Sequence, residues 1–211
     1  MDNHLATVGG HRYRHRMRWD HLFDDLAGQL EHELAAEEAD LEREEERLRL
    51  GRLPLRERLA TLRAAGGDDS RISYRDRLHS VRSLRLVTVG RDWMAGDLEG
   101  EGALKEQAIV PFWAVDALHL SPGQAERSLA SAREPSELAA RLSIAFLLRD
   151  LCRRRVPVTV HTSAATIDGT IDRVGRDHLD IAVHERDRPR RAAEVQSVRV
   201  VPFDQLLLVR L

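Results

Sequence analysis

The 211-residue chain has one cysteine, and only 4% of its residues are aromatic. Cys152 alone cannot form an internal disulfide, so a disulfide scaffold is excluded and a reducing compartment, the cytoplasm, is expected. No stretch approaches the roughly 18 apolar residues of a membrane span, nor the apolar core of a signal peptide, so no membrane association is expected. Neither sign of charge dominates: 33 Lys+Arg against 35 Asp+Glu leave −2, which excludes a uniformly basic protein but not a basic site. Of the basic residues only Lys105 is a lysine, so arginine carries the positive charge.

Catalytic signatures are missing too. There is no phosphate-binding glycine loop and no nucleophile elbow, and Cys152 sits in a Leu-rich stretch that reads as a buried, inert thiol. His11 and His15 stand four apart, with His4 and His21 near, but in a Gly/Arg-rich tail that reads as solvated. Asp97, Glu99 and Glu101 lack the spacing of a calcium loop. No enzyme, no cofactor and no metal is expected.

What is present is organisation. At 42% apolar content the chain can fill a core, as one large domain or two small ones. Residues 1–16 have no periodicity and are expected to be a disordered tail, or a stretch upstream of a start at Met17. A helix is expected from Asp20, its N-cap, to about Leu50, with Leu22, Phe23, Leu26, Leu30, Leu34, Leu41 and Leu48 at three-, four- or seven-residue steps and a stop at Gly51 and Pro54. Between residues 20 and 46 it holds 12 acidic residues against Arg43, a local charge of −11. Such a helix either packs only its first turns and is otherwise solvated, or uses its leucine seam for a coiled coil or a docking partner, for which a basic protein is the complement.

A short helix is expected at Leu55–Ala65, ended by Gly66-Gly67-Asp68-Asp69. The period then becomes two, with strands at Ile72 to Leu78, Leu84 to Val89, Trp93 to Leu98, Ala108 to Val110 and Val115 to Leu120, and a hairpin loop around Gly96, Gly100 and Gly102. A polar helix or linker with Pro122 near its start spans Ser121 to Glu134, and Pro135-Ser136 opens an apolar helix, Glu137 to Cys152. Strands return at Val156 to Val160, Thr166 to Val174, Leu179 to Val183, Val195 to Val201 and Leu206 to Leu211.

These two stretches look alike. Val89-Gly90-Arg91-Asp92 reappears as Val174-Gly175-Arg176-Asp177, and Val110-Pro111-Phe112 as Val201-Pro202-Phe203. Each copy is preceded by Leu-x-x-Arg-Leu, at Leu55 to Leu59 or Leu138 to Leu142, and the second has the longer loop, Glu185 to Glu194. Matched motifs in the same order indicate an internal duplication. Glycine and aspartate suit a tight corner, and a proline with no N–H ends a strand and turns the chain, so each copy reads as five short strands closing into a small barrel. Trp93, Phe112, Trp113 and Phe203 fall at apolar barrel positions, as core or, alternatively, as base-stacking platforms.

The second copy resembles the Sm-like family of small SH3-like barrels. Val158-Thr159-Val160, Ile167-Asp168-Gly169-Thr170-Ile171, Val174 and His178 to Val183 follow the order of that family's first motif, with Gly169 at the bend of the long second strand. A hairpin at Asp168-Gly169 is the competing reading, which the alternation of Ile167, Gly169 and Ile171 disfavours. The first copy has Leu84 at about the place of the bend glycine. Family members bind RNA bases through two loops; here Asp180 stands in place of their usual Asn, and Val201-Pro202-Phe203 in place of an Arg-Gly loop. The resemblance therefore implies the fold and not that RNA pocket. From Met17-Arg18-Trp19-Asp20 onward the chain also resembles a group of uncharacterised actinobacterial proteins, which implies an origin and no activity.

The expected architecture is thus α+β: a tail (1–16), a long acidic helix (17–51), a first helix plus small β-barrel (52–120), a linker or polar helix (121–135) and a second helix plus barrel (136–211). Arg149, Arg153, Arg154 and Arg155 end the helix entering the second barrel, and Arg186, Arg188, Arg190 and Arg191 lie in its long loop. On one rim they suit phosphates through bidentate contacts, and carboxylates equally. From residue 149 to 211 there are 12 Arg and 9 acids, so a mixed solvated surface is the competing reading. The acidic helix, docked within the chain or head to tail, is a further partner for that rim, and its removal would then raise nucleic-acid affinity. The leading expectation is a nucleic-acid-associated regulator that binds RNA or DNA; the rival is a homo-oligomeric scaffold whose barrels assemble edge to edge while the acidic helix recruits a partner.

Overall fold

A computed structural model describes residues 19–99, 106–130, 137–185 and 195–211. Residues 1–16, with His4, His11 and His15, lie outside the described residues, as do Gly100, Glu101, Gly102, Lys105, Pro135, Ser136, Arg186, Arg188, Arg190 and Arg191. The chain divides into two compact units, Met1–Arg52 and Leu53–Leu211.

The first unit contains helix α1 (Trp19–Arg52), about 50 Å long at 1.5 Å per residue. Asp20 lies within the helix and is not its cap. Its surface is stitched by i, i+3 ion pairs, Arg43 to Asp40, Arg47 to Glu44 at 3.7 Å and Arg49 to Glu46 at 2.6 Å. Phe23, Leu26, Leu30, Leu34, Leu41 and Leu48 are all at least half exposed. No helix among the described residues is long and apolar enough to cross a membrane.

In the second unit, α2 (Leu55–Ala65) follows Pro54, buries Leu59, Ala60 and Leu62, and stops at Gly66, whose φ of 70° an L side chain rarely adopts. Among the described residues ten antiparallel strands follow: β1 (Arg71–Asp76), β2 (Val81–Val89), β3 (Trp93–Glu99), β4 (Glu106–Pro111), β5 (Val115–His119), β6 (Pro157–Thr162), β7 (Thr166–Val174), β8 (His178–Val183), β9 (Ser197–Pro202) and β10 (Leu206–Arg210). They form one sheet in the order β5-β1-β2-β3-β4-β10-β6-β7-β8-β9. The sheet thus contains two runs of five strands with the same internal order. Registers also correspond: Ile72 faces Leu84 as Val158 faces Gly169, Tyr74 faces Leu118 as Val160 faces Val209, and Ala95 faces Ile109 as Asp180 faces Val200. Both long second strands carry a bulge at the same place, between Leu86 and Thr88 and between Ile171 and Arg173.

Several expectations are corrected. Among the described residues neither run closes on itself by a hydrogen-bonded ladder: β4 pairs with β10, at Val209 against Ile109 and Arg210 against Ala108. Leu211 N donates to Gln107 O at 2.9 Å and Arg210 to Glu106 Oε1 at 2.8 Å across the same seam. Gly96 is not in a hairpin loop but buried in β3, where a Cβ would lie 1.9 Å from the Arg85 carbonyl oxygen. Gly169 does the same from the other strand of its pair, 2.1 Å from the Ala182 oxygen, so each run has one close β–β approach made by a glycine. Leu78 lies in the turn after β1, exposed. Asp97 and Glu99 belong to β3, and Glu99 holds Arg71 at 2.6 Å.

The polar stretch after β5 folds as α3 (Pro122–Arg127), capped by a Ser121/Gln124 capping box; Gln124 Nε2 also donates to Asp68 O and Arg71 O, pinning α3 to the start of β1. The expected single helix from Glu137 to Cys152 is broken into α4 (Glu137–Arg141) and α5 (Ile144–Arg154). The break is chemical: the Leu142 carbonyl accepts from Arg91 N and Trp93 Nε1, while Ser143 caps the new helix. Consequently α5, and not the Leu138 to Leu142 motif, packs on β7 as α2 packs on β2, and Leu138 is 70% exposed.

Two apolar cores result. One gathers Leu59, Leu62, Ile72, Tyr74, Leu84 and Met94 around α2, the other Leu148, Leu151, Val158, Val160, Ile171 and Ile181 around α5. They exchange residues across the seam: Trp93 and Ile109 belong to the second core, Leu207 and Leu208 to the first. Cys152 is half-buried beside the second core, more accessible than a fully buried thiol.

Candidate binding groove and arginine cluster

The repeated Gly-Arg-Asp segments form equivalent corners. Gly90 N donates to Trp93 O at 2.8 Å and Gly175 N to His178 O at 2.9 Å. The aspartate carbonyls accept from the phenylalanine after each Val-Pro, Phe112 N to Asp92 O at 2.9 Å and Phe203 N to Asp177 O at 2.7 Å. Both Pro111 and Pro202 end their strands and enter a 3₁₀ turn. Glycine is needed at these corners for space: a Cβ would lie 2.2 Å from the Trp93 ring at position 90 and 2.5 Å from the His178 ring at position 175.

The side chains then diverge. Asp92 Oδ1 accepts from Ile144 N at 2.8 Å, capping α5 from a distant corner. Asp177 instead lies 2.8 Å from His178 Nδ1, and this hydrogen bond, with the lesser pull of Arg176, holds its carboxyl below the usual carboxylate range. The two corners meet at an open groove of about 870 Å³, lined among others by Arg91, Arg176, His178, Trp113 and Phe203. Trp113 and Phe203 are partly buried, and Trp113 Nε1 donates to Phe203 O at 2.8 Å, locking the floor between residues 90 positions apart.

Among the described residues, Arg91 and Arg176 are exposed and form no ion pair, although the Asp177 carboxyl feels the charge of Arg176. Arg149 does not line the groove, but its guanidinium donates to the Gly175 carbonyl at 3.2 Å, beside Arg176. Three carboxylates share the lining, of which Asp92 is committed to its cap and Asp177 to His178, leaving Asp204 beside Gln205.

The rest of the nominated arginine cluster is largely compensated. Arg153 and Arg154 both pair with Asp150, the latter at 2.7 Å, and Arg155, in the left-handed cap at φ 56°, pairs with Asp172 at 2.7 Å. Such exposed pairs contribute at most about 1 kcal/mol each, yet they lower the local field. Arg149, Arg153, Arg154 and Arg155 are brought to one helix end and all are exposed; Arg186, Arg188, Arg190 and Arg191 lie outside the described residues. Sequence reading missed Arg91 and Arg176 as site residues, although both stood in the repeated motif; the signal was two motifs each carrying one arginine at a corner. No group of three or more His, Cys, Asp or Glu that could hold a metal occurs among the described residues.

In comparisons with known proteins, no family model, no curated protein and no solved structure matches the chain.

Proposed function

We propose that the chain is a non-enzymatic binding protein associated with single-stranded RNA or DNA. In this reading each five-strand run is a small barrel of the Sm-like kind, the second run is a copy of the first, and the binding face is the groove where their corners meet. The observation that carries it is the groove's composition: Arg91 and Arg176, which form no ion pair among the described residues, line it beside the rings of Trp113 and Phe203, and Arg149, outside the lining, is bonded to the Gly175 carbonyl next to Arg176. Guanidinium groups suit phosphate, and aromatic faces suit unstacked bases, worth roughly 1–3 kcal/mol per base.

Salt dependence tests this. With a single strand contributing a log–log slope of about −0.7 per neutralised phosphate, three arginines predict a slope of about −2, whereas the eight arginines of the α5 end and the 185–194 loop would give about −6. Fluorescence anisotropy of labelled oligonucleotides should show the shallow slope, and Arg91→Ala with Arg176→Ala should each weaken binding roughly tenfold. Absence of binding at low salt would refute the reading.

A second reading, an assembly scaffold whose acidic helix recruits a basic protein, is favoured by the exposed seam from Phe23 to Leu48 on a helix of local charge −11.

A further inference from the structure

Helix α1 carries a seam with the alternating three- and four-residue steps of a two-stranded coiled coil. One seam position is filled in turn by Phe23, Leu30, Glu37 and Glu44, the other by Ala27, Leu34, Leu41 and Leu48. The seam runs about 38 Å along one side of the helix, and all of its residues are exposed. Beside it stand Asp24, Glu31, Glu38 and Glu45 on one flank, and Leu26, Glu33, Asp40 and Arg47 on the other. Ion pairing within the helix is confined to its C-terminal part, at Asp40 with Arg43, Glu44 with Arg47 and Glu46 with Arg49. Asp24, Glu31, Glu33, Glu37 and Glu38 form no ion pair among the described residues.

A second copy does not complete this seam. In a parallel pair Glu37 and Glu44 each meet their own copies, and the flanks set Glu33 against Glu38 and Asp40 against Glu45. In an antiparallel pair Phe23 meets Leu48 and Leu30 meets Leu41, but Glu37 falls on Leu34, and the flanks set Asp24 against Glu45 and Glu31 against Glu38. Either alignment brings carboxylates together or drives one onto leucine. We infer that α1 is the acidic strand of a heteromeric coiled coil, whose other strand is a basic amphipathic helix of another protein. That helix has apolar residues along its own seam, and Lys or Arg on its flanks and against Glu37 and Glu44. The inference rests on the second reading above, an acidic helix that recruits a basic protein, and narrows the partner to a helix. Charge commits the occupant, because the uncompensated acids lie along an apolar seam and one surface must supply cations and apolar side chains together. A basic loop offers only the cations. Glu37 and Glu44 also make the seam selective, since they face cations in that partner and penalise a second copy.

The probe is a synthetic copy of Trp19–Arg52 in which the acids of the seam and its flanks are lysine, with a control peptide of the same composition whose leucines are moved off the seam. Fluorescence anisotropy with the full chain at low salt should show one peptide bound per chain, roughly tenfold or more tighter than the control. Leu34→Gln/Leu41→Gln, at exposed positions and with a good helix former, should abolish that advantage and leave the circular dichroism spectrum unchanged. Glu37→Leu/Glu44→Leu should make the chain dimerise in sedimentation velocity, and adding Leu34→Gln/Leu41→Gln should reverse this. Equal binding of the two peptides overturns the coiled coil and leaves an acidic recruiting helix in place. Binding of neither overturns both. Self-association of the native chain that Leu34→Gln/Leu41→Gln abolishes overturns the inference, because the occupant is then a second copy. A Glu37→Leu/Glu44→Leu chain that gains no such dimer overturns it as well, because the seam then pairs with no helix.

Discussion

The run β1–β5 and the run β6–β10 share strand order, register, bulge position and corner hydrogen bonds, yet equivalent positions carry unlike side chains. Position 93 is a tryptophan, 4% exposed and part of the second core; its counterpart is His178, an exposed imidazole on the groove. Asp92 caps a helix, and Asp177 only restrains its neighbour. The backbone plan is set by local rules repeated twice, while the side chains follow what happens to cover each copy.

The strongest way to break that comparison is at position 93. Trp93→Ala removes a buried indole and its bond to Leu142, with an expected loss of about 3–5 kcal/mol, whereas His178→Ala should cost under about 1 kcal/mol; urea denaturation of both variants checks this. Next is the cap. Asp92→Ala should cost about 1 kcal/mol and increase amide exchange in the first turn of α5, while Asp177→Ala leaves stability nearly unchanged. Equal losses would mean that the corners do the same work.

The smallest effect is a pH dependence confined to the second run. His161 occupies the place of Arg75, and burial first, then the charges of Arg82 and Arg210, hold it below its ordinary value of 6.5; Asp168 and Glu106 oppose this. Its Nδ1 lies 3.2 Å from Thr166 Oγ1, and its Nε2 is buried without a partner. The fold thus favours the neutral ring, and the unfolded chain takes up the proton first. Stability is complete above about pH 6.5 and falls as the pH drops through that value toward the lowered one. The melting temperature should decline between pH 7.5 and 5.5, and His161→Gln should flatten part of that decline.

Elements were the legible part of the sequence. Leu55–Ala65 and Thr166–Val174 emerge with the boundaries their periodicity and punctuation dictate, because both are governed by neighbours in sequence. Less legible was whatever depends on a distant carbonyl. Nothing near Leu142 announces a break, since its cause is the Arg91 amide and the Trp93 indole some 50 residues away. The seam was hidden for a similar reason: Leu206 to Leu211 reads as a strand, but its hydrophobicity on both faces signals a central strand only when a second neighbour is known. For the site, the arginines at the end of α5 were visible as a run, but the acids that pair with them, Asp150 and Asp172, were not distinguishable from any others. Arg91 and Arg176 lie 85 residues apart, and only the fold makes them neighbours on one groove.

The exchange of residues across the seam has a consequence for the order of events during synthesis. Leu207 and Leu208 complete a core whose other members lie between Leu59 and Ala114. On a ribosome delivering some 5–20 residues per second, β1 to β5 emerge several seconds before the strand that covers β4 and seals that core. Over that interval the edge later taken by β10 is open. The first core therefore stays unsealed, with one strand edge unpaired, until the last residues of the chain are delivered.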